Sequence, residues 1–129
     1  MVHGFKVATT LAAYRCVRIS AAHTVAYPSA ANLLCVGITQ NTVKDTTNSI
    51  PVAGPGELSL LEFHDSVTAA SLVQSHTDGR GILFTPGANT TSGATVTVAY
   101  IGVLKGPAVD LTGTLAEVYI MPGFGRAGG

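Results

Sequence analysis

Nine short runs of apolar or alternating residues are strung along the chain between turn signals: YRCVRI (14–19), HTVAY (23–27), LLCVGI (33–38), SIPVA (49–53), ELSLLEF (57–63), SLVQS (71–75), GILF (81–84), TVTVAYIGV (95–103) and TLAEVYI (114–120). Runs this short, at this spacing, suit the strands of a sandwich or barrel, and none has the length of a core helix. Thr, Val, Ala and Gly dominate, while Glu, Lys, Gln and Arg are scarce, so the straight-chain residues that helices use on exposed faces are missing. The predicted fold is all-β: a compact barrel or sandwich of about eight or nine strands with at most one short helix.

Asp78-Gly79, between SLVQS and GILF, gives two residues that tolerate positive φ and predicts a tight hairpin joining 71–75 to 81–84. The helix candidate is DSVTAASLV (65–73), with Asp65 or Ser66 as its cap and Ala69, Ala70 and Leu72 continuing it. Pro51 and Pro122 lack an amide donor and belong at strand edges or ends. Residues 85–95, TPGANTTSGAT, form a polar surface loop without core-building material.

One sentence is written twice. VGITQNTVKDTTNSI (36–50) laid on IGVLKGPAVDLTGTL (101–115) at an offset of 65 matches Gly37 with Gly102, Asp45 with Asp110 and Thr47 with Thr112. Both copies read as a Gly-containing strand, a loop carrying Asp-x-Thr, and a second strand, the Asp side chain starting a turn. A second echo, at about 57, pairs Val25-Ala26-Tyr27 with Ile82-Leu83-Phe84 and Ala12-Ala13 with Ala69-Ala70, with loop 85–95 as the insertion between offsets. Two related halves, 12–54 and 66–121, are expected to close into one pseudo-symmetric barrel.

At 129 residues the chain is one domain, since a single core serves roughly 100–200 residues. Charged residues are 11% of the sequence, less than half the usual share of about 25%, and seven basic residues balance seven acidic ones. A neutral, charge-poor surface favours association. It also argues against nucleic acid, whose binders carry a basic excess. Residues 1–14 lack the apolar stretch of a secretory signal, and no segment has the length of a membrane span, so synthesis in the cytoplasm is expected. Cys16 and Cys35 lie in apolar runs without Cys-x-x-Cys spacing and read as buried free thiols.

No constellation for catalysis stands out. His64, Asp65 and Ser66 are adjacent, and on a strand adjacent side chains point to opposite faces, which prevents a relay. His64, Asp65, His76 and Asp78 would form a metal site if the chain between them folded back; turn and cap duties are the plainer reading of these residues. GPGE (54–57) and LKGPA (104–108) lack the ending of a phosphate loop, and Glu57, Glu62 and Glu117 lie on separate strands. Neither enzyme activity nor a cofactor is expected.

YRCVRIS, LLCVGITQNTVKDTTNSIPVAGPGELSLLEF, SLVQSHTDGRGILFTP and GVLKGPAVDLTGTLAEVYIMP together resemble the head decoration, or capsid cement, proteins of tailed bacteriophages, over about residues 12 to 122. The family often has Gly and then an acidic residue before the hairpin strand, where this chain has Ala70 and Ser71. The resemblance implies a β-rich, non-catalytic protein on the outer capsid surface of the virion, with the major capsid protein and other copies of itself, as a homotrimer or dimer, as partners, and without nucleic acid or membrane. On this reading residues 1–13 are an N-terminal arm, 14–122 the β domain and 123–129 a flexible Gly-rich tail. Phe5, Val7, Leu11 and Phe124 are the candidate capsid or self-interface residues. A carbohydrate- or receptor-binding β-module is the alternative, with exposed aromatics in a cleft as its mark, and a small hydrolase depending on His64 is the third class.

Overall fold

The short runs become ten strands in a computed structural model, which describes residues 2–7, 9–30, 33–43, 49–68, 70–84, 96–107 and 112–127. They are β1 (Val2–Val7), β2 (Cys16–Ala21), β3 (Thr24–Ala26), β4 (Gly37–Thr39), β5 (Ser49–Ala53), β6 (Leu58–Glu62), β7 (Leu72–Ser75), β8 (Gly81–Leu83), β9 (Val96–Leu104) and β10 (Leu115–Ala127). Among the described residues there is no helix. The helical turns expected at 65–73 are replaced by an irregular crossing, because Val67 is drawn into the core and Ala70 stands at φ 61, outside the right-handed helical region. Ala69 and loop 85–95 lie outside the described residues.

The first five strands close into a barrel in the order β1-β3-β2-β4-β5, with β1 antiparallel to β5 and parallel to β3. The other five form a sheet in the order β6-β10-β9-β7-β8. These orders are the same order. Read from its hairpin, each half runs β3-β2-β4-β5-β1 or β8-β7-β9-β10-β6, and the registers superpose. Cys16↔Ile38 and Val17↔Gly37 in the first half become Leu72↔Val103 and Val73↔Gly102 in the second. The parallel pair Val7↔Val25 becomes the isolated parallel bridge Phe63↔Gly81.

Close approach of backbone explains the glycine shared by the two echoes. A Cβ on Gly37 would run into the carbonyl oxygen of Ala53, and one on Gly102 into that of Tyr119, its equivalent on the partner strand. The positive-φ residues repeat as well: Tyr14 (φ 60) with Ala70 (φ 61), and His23 (φ 56) with Gly79 (φ 83). Those pairs fix the earlier offset at 56 and not 57. A single shared barrel is also corrected: each half builds its own five-stranded sheet. Asp45, Thr47 and Asp110 lie outside the described residues, while Thr112 Oγ1 donates to the His64 carbonyl at 2.8 Å.

Two cores result. Val7, Leu11, Val17, Val25, Ile50 and Val52 fill the first barrel, with Phe5, Tyr27 and Val43 packed against them. The second core joins Leu61, Phe63, Val67, Val73, Ile101, Leu104, Val118 and Ile120 to Cys16, Cys35, Ile38 and Ala53 from the wall of the first barrel. The second sheet stays open between β6 and β8, where residues 14–16 enter the seam: Glu62 N–H donates to the Tyr14 carbonyl at 2.9 Å and Cys16 N–H to the Gly79 carbonyl at 2.7 Å. Arg15 adds bonds to the Asp78 carbonyl (2.9 Å) and the Glu62 carboxylate (3.3 Å). Both cysteines are free and buried, and burial, then a hydrogen bond with Cys35, pushes the Cys16 thiol up.

Both termini differ from expectation. Residues 2–7 are not a loose arm but a barrel stave, because Phe5 and Val7 share the face that meets the core. The Gly-rich end is not a flexible tail over 123–127, since β10 pairs with β9 as far as Ala127. Gly123 and Gly125 leave room for the rings of Tyr100 and Phe84, which meet edge to face at 5.5 Å over the strand. Rings lying over bare glycine backbone are a known way to pin a strand. The predicted hairpin forms between β7 and β8, with Gly79 in the left-handed region; its loop has three residues instead of two, since His76 N–H bonds the Arg80 carbonyl. Pro122 occupies the bulge between Ile120 and Gly123, and Pro51 sits inside β5 at the point where the β4 ladder ends.

Candidate functional site

A row of apolar side chains crosses four strands of the second sheet on one face. Leu72 on β7 pairs with Val103 on β9, Val103 with Tyr119 on β10, and Tyr119 with Leu58 on β6, so all four project to the same side. Leu72 and Val103 are half-buried, Leu58 is 37% exposed and Tyr119 46%. Leu60, Leu115 and Met121, at the same alternation along β6 and β10, extend the row and are also exposed.

The equivalent row of the first half has a different fate. Cys16, Ile38 and Ala53 stand where Leu72, Val103 and Tyr119 stand, and they are buried because the second half packs over them. Further along, Gly4 and Ser49 occupy the places of Leu60 and Leu115. The fold thus tolerates small or polar residues at those positions, and the large apolar ones are particular to the second half. Contiguous apolar patches of several hundred Å² mark interaction sites.

Two hollows flank the row. One, of about 740 Å³, lies between the halves and is lined by Leu34, Val36, Pro55, Tyr119, Met121 and Pro122. The other, of about 310 Å³, is bounded by Leu60, Pro107, Leu115 and Glu117. Charge is sparse here. Lys105 and Glu117 are 4.0 Å apart, and Glu62 is held by Arg15 and Arg80 at 3.3 and 3.7 Å.

Of the capsid or self-interface candidates read from the sequence, Val7 and Leu11 are buried inside the first barrel and Phe5 is half-buried against its core, so the fold's own packing takes up these side chains. Phe124 is exposed, at 52%, on β10. Leu58, Leu60, Leu115, Tyr119 and Met121 went unnoticed. Their signal was present in ELSLLEF and VYIM, where apolar residues fall on both parities of a strand, a pattern that needs cover on both faces.

The polar cluster weighed for metal binding is partly assembled. Donor atoms of His64, His76 and Asp78 all lie within 4.8 Å of one another. The two imidazoles stack with centroids 4.2 Å apart and planes 7° from parallel. His64 Nδ1 is 3.0 Å from the Asp65 carboxylate and His76 Nδ1 is 3.2 Å from that of Asp78. Burial raises the Asp78 carboxyl, but hydrogen bonds from the Arg80 side chain and backbone outweigh it, with the charges of Arg80 and His76 adding to them, and bring it down to about 2.

The sequence matches no protein-family model and no curated protein.

Proposed function

We propose that the protein is a capsid decoration protein that docks, through the Leu58-Tyr119-Val103-Leu72 row, onto the outer surface of an icosahedral phage head and bridges neighbouring capsomers. The observation that carries this reading is the asymmetry between repeats: the row that the first half covers with the second is left without cover on the second. A face of that kind, on a chain with few charges and none in excess, suits burial between other subunits. The resemblance of residues 12 to 122 to cement proteins supplies the partner.

Attachment is assigned to the row, since residues 2–7 are committed to the barrel. The mechanism is linkage. A protein that binds the assembled lattice and not its separated subunits stabilises the lattice, and modest contacts add up when repeated over many sites. Oligomerisation around a local symmetry axis belongs to the same reading.

Co-sedimentation of the purified chain with bare heads tests it. Wild type saturates the heads and raises their resistance to heat, whereas Tyr119→Lys and Leu60→Lys remain folded and stay in the supernatant. Undiminished occupancy by both variants would falsify the row as the docking face. Absence of binding by wild type, together with retention on a glycan array, would favour the carbohydrate-binding module.

A further inference from the structure

His64 follows the end of β6 and His76 follows the end of β7, so the two rings meet at the seam where the second sheet fails to close. The His64 ring is oriented by the Asp65 carboxylate, 3.0 Å from its Nδ1, and the Asp78 carboxylate lies 3.2 Å from His76 Nδ1. The backbone N–H of Asp78 donates to His76 Nδ1 at 3.4 Å, a long bond. An imidazole that donates its Nδ1–H to a carboxylate keeps its lone pair on Nε2, and this is how metal-binding histidines are held in proteins. Asp78 is itself gripped by Arg80, whose Nη2 and Nε are 2.7 and 2.8 Å from Oδ2.

Geometry and charge suit a small cation. Metal–nitrogen bonds of about 2.0–2.1 Å let one ion join donors up to about 4 Å apart. One donor atom each of His64, His76 and Asp78 lies within 4.8 Å of the others, and because lone pairs lie in the ring planes, both rings must swing well out of the stack to share an ion. His64 and His76 are about one-third exposed, which gives an ion access. Around them Glu62, Asp65 and Asp78 face Arg15 and Arg80, leaving one negative charge in surplus. The fold does not ask for these residues: 56 positions earlier, Ser20 and Ala22 stand where His76 and Asp78 stand.

We infer that His64 and His76 are the paired imidazole ligands of a divalent transition-metal site, of the zinc, nickel and copper class, completed by water beside the Asp78 carboxylate and steadied by Asp65. Imidazole pairs suit such ions, while the hard oxygen-seeking cations gain nothing from them. A bound ion would join the end of β6 to the β7–β8 hairpin and so hold shut a seam that strand pairing bridges at Phe63↔Gly81.

Isothermal titration of the full chain with zinc chloride at neutral pH tests this. Wild type takes up one ion saturably; His64→Gln and His76→Gln each abolish that uptake, Asp65→Asn weakens it about tenfold, and His23→Gln leaves it unchanged. Zinc raises the thermal midpoint of wild type but not of the two His variants, and it slows exchange of the His64 amide that bonds the Gly81 carbonyl at 2.9 Å. Cobalt(II) added to the unmodified chain gives the visible bands of an imidazole-bound ion, a readout independent of any variant. A spectrum of fully hydrated cobalt, no saturation by about 1 mM zinc (a standard free energy near −4 kcal/mol), or saturation surviving in both His variants overturns the assignment.

Discussion

The two halves share a strand order and a hydrogen-bond register, yet they end in different states. The first closes on itself, β1 lying between β3 and β5, and holds a core of its own. The second is bridged between β6 and β8 at one pair, and its core is completed by Cys16, Cys35, Ile38 and Ala53 of the first. Features common to both, such as Gly37 with Gly102, are what the fold requires. Features on one side alone, the apolar row and the histidine pair, are what the fold permits, and they are where function is to be sought.

Variants can break this comparison in order of size. Gly102→Val forces a side chain into the Tyr119 carbonyl and should cost more than about 4 kcal/mol in urea denaturation, with Gly37→Val similarly severe. If either is tolerated, the shared glycine is not a structural requirement. Phe63→Ala, in the core between the halves, should cost about 3–5 kcal/mol and loosen both halves together, whereas Val25→Ala, in the first barrel, should cost about 2 kcal/mol. Ala70→Gly should stabilise by about 1 kcal/mol, because Ala70 at φ 61 lies where glycine sits without strain.

Acid gives a smaller, directional test. The folded-state carboxyl of Asp78 is depressed from 3.8 to about 2, so its contribution is present above 3.8 and is lost as pH falls towards 2. Hydrogen exchange across that window should show the β7–β8 hairpin opening before the first barrel. Smallest of all, Tyr119→Ser should change stability by less than about 0.5 kcal/mol while abolishing head binding. A large stability loss there would mean that the row serves the fold.

Much of the fold was legible because strand and turn chemistry act locally. Asp78-Gly79 placed the hairpin, and the echo at 36–50 and 101–115 marked a repeat through a glycine whose reason is steric. The closure was not legible. Nothing local in VHGFKV says that it lies parallel to β3, since that pairing is fixed by chain return over distance. Gly123 and Gly125 misled for a related reason: their partners, Tyr100 and Phe84, are remote in sequence. Leu58 and Tyr119 were visible as apolar residues, but which face they take depends on a register that composition does not carry.

The seam formed by residues 14–16 also gives synthesis a direction. By the time Ala53 has left the ribosome, all five staves of the first barrel exist, with β1 already beside β5. The later half emerges towards residues that supply part of its interior, an arrangement in which the first half can serve as a template for the second as the chain is made.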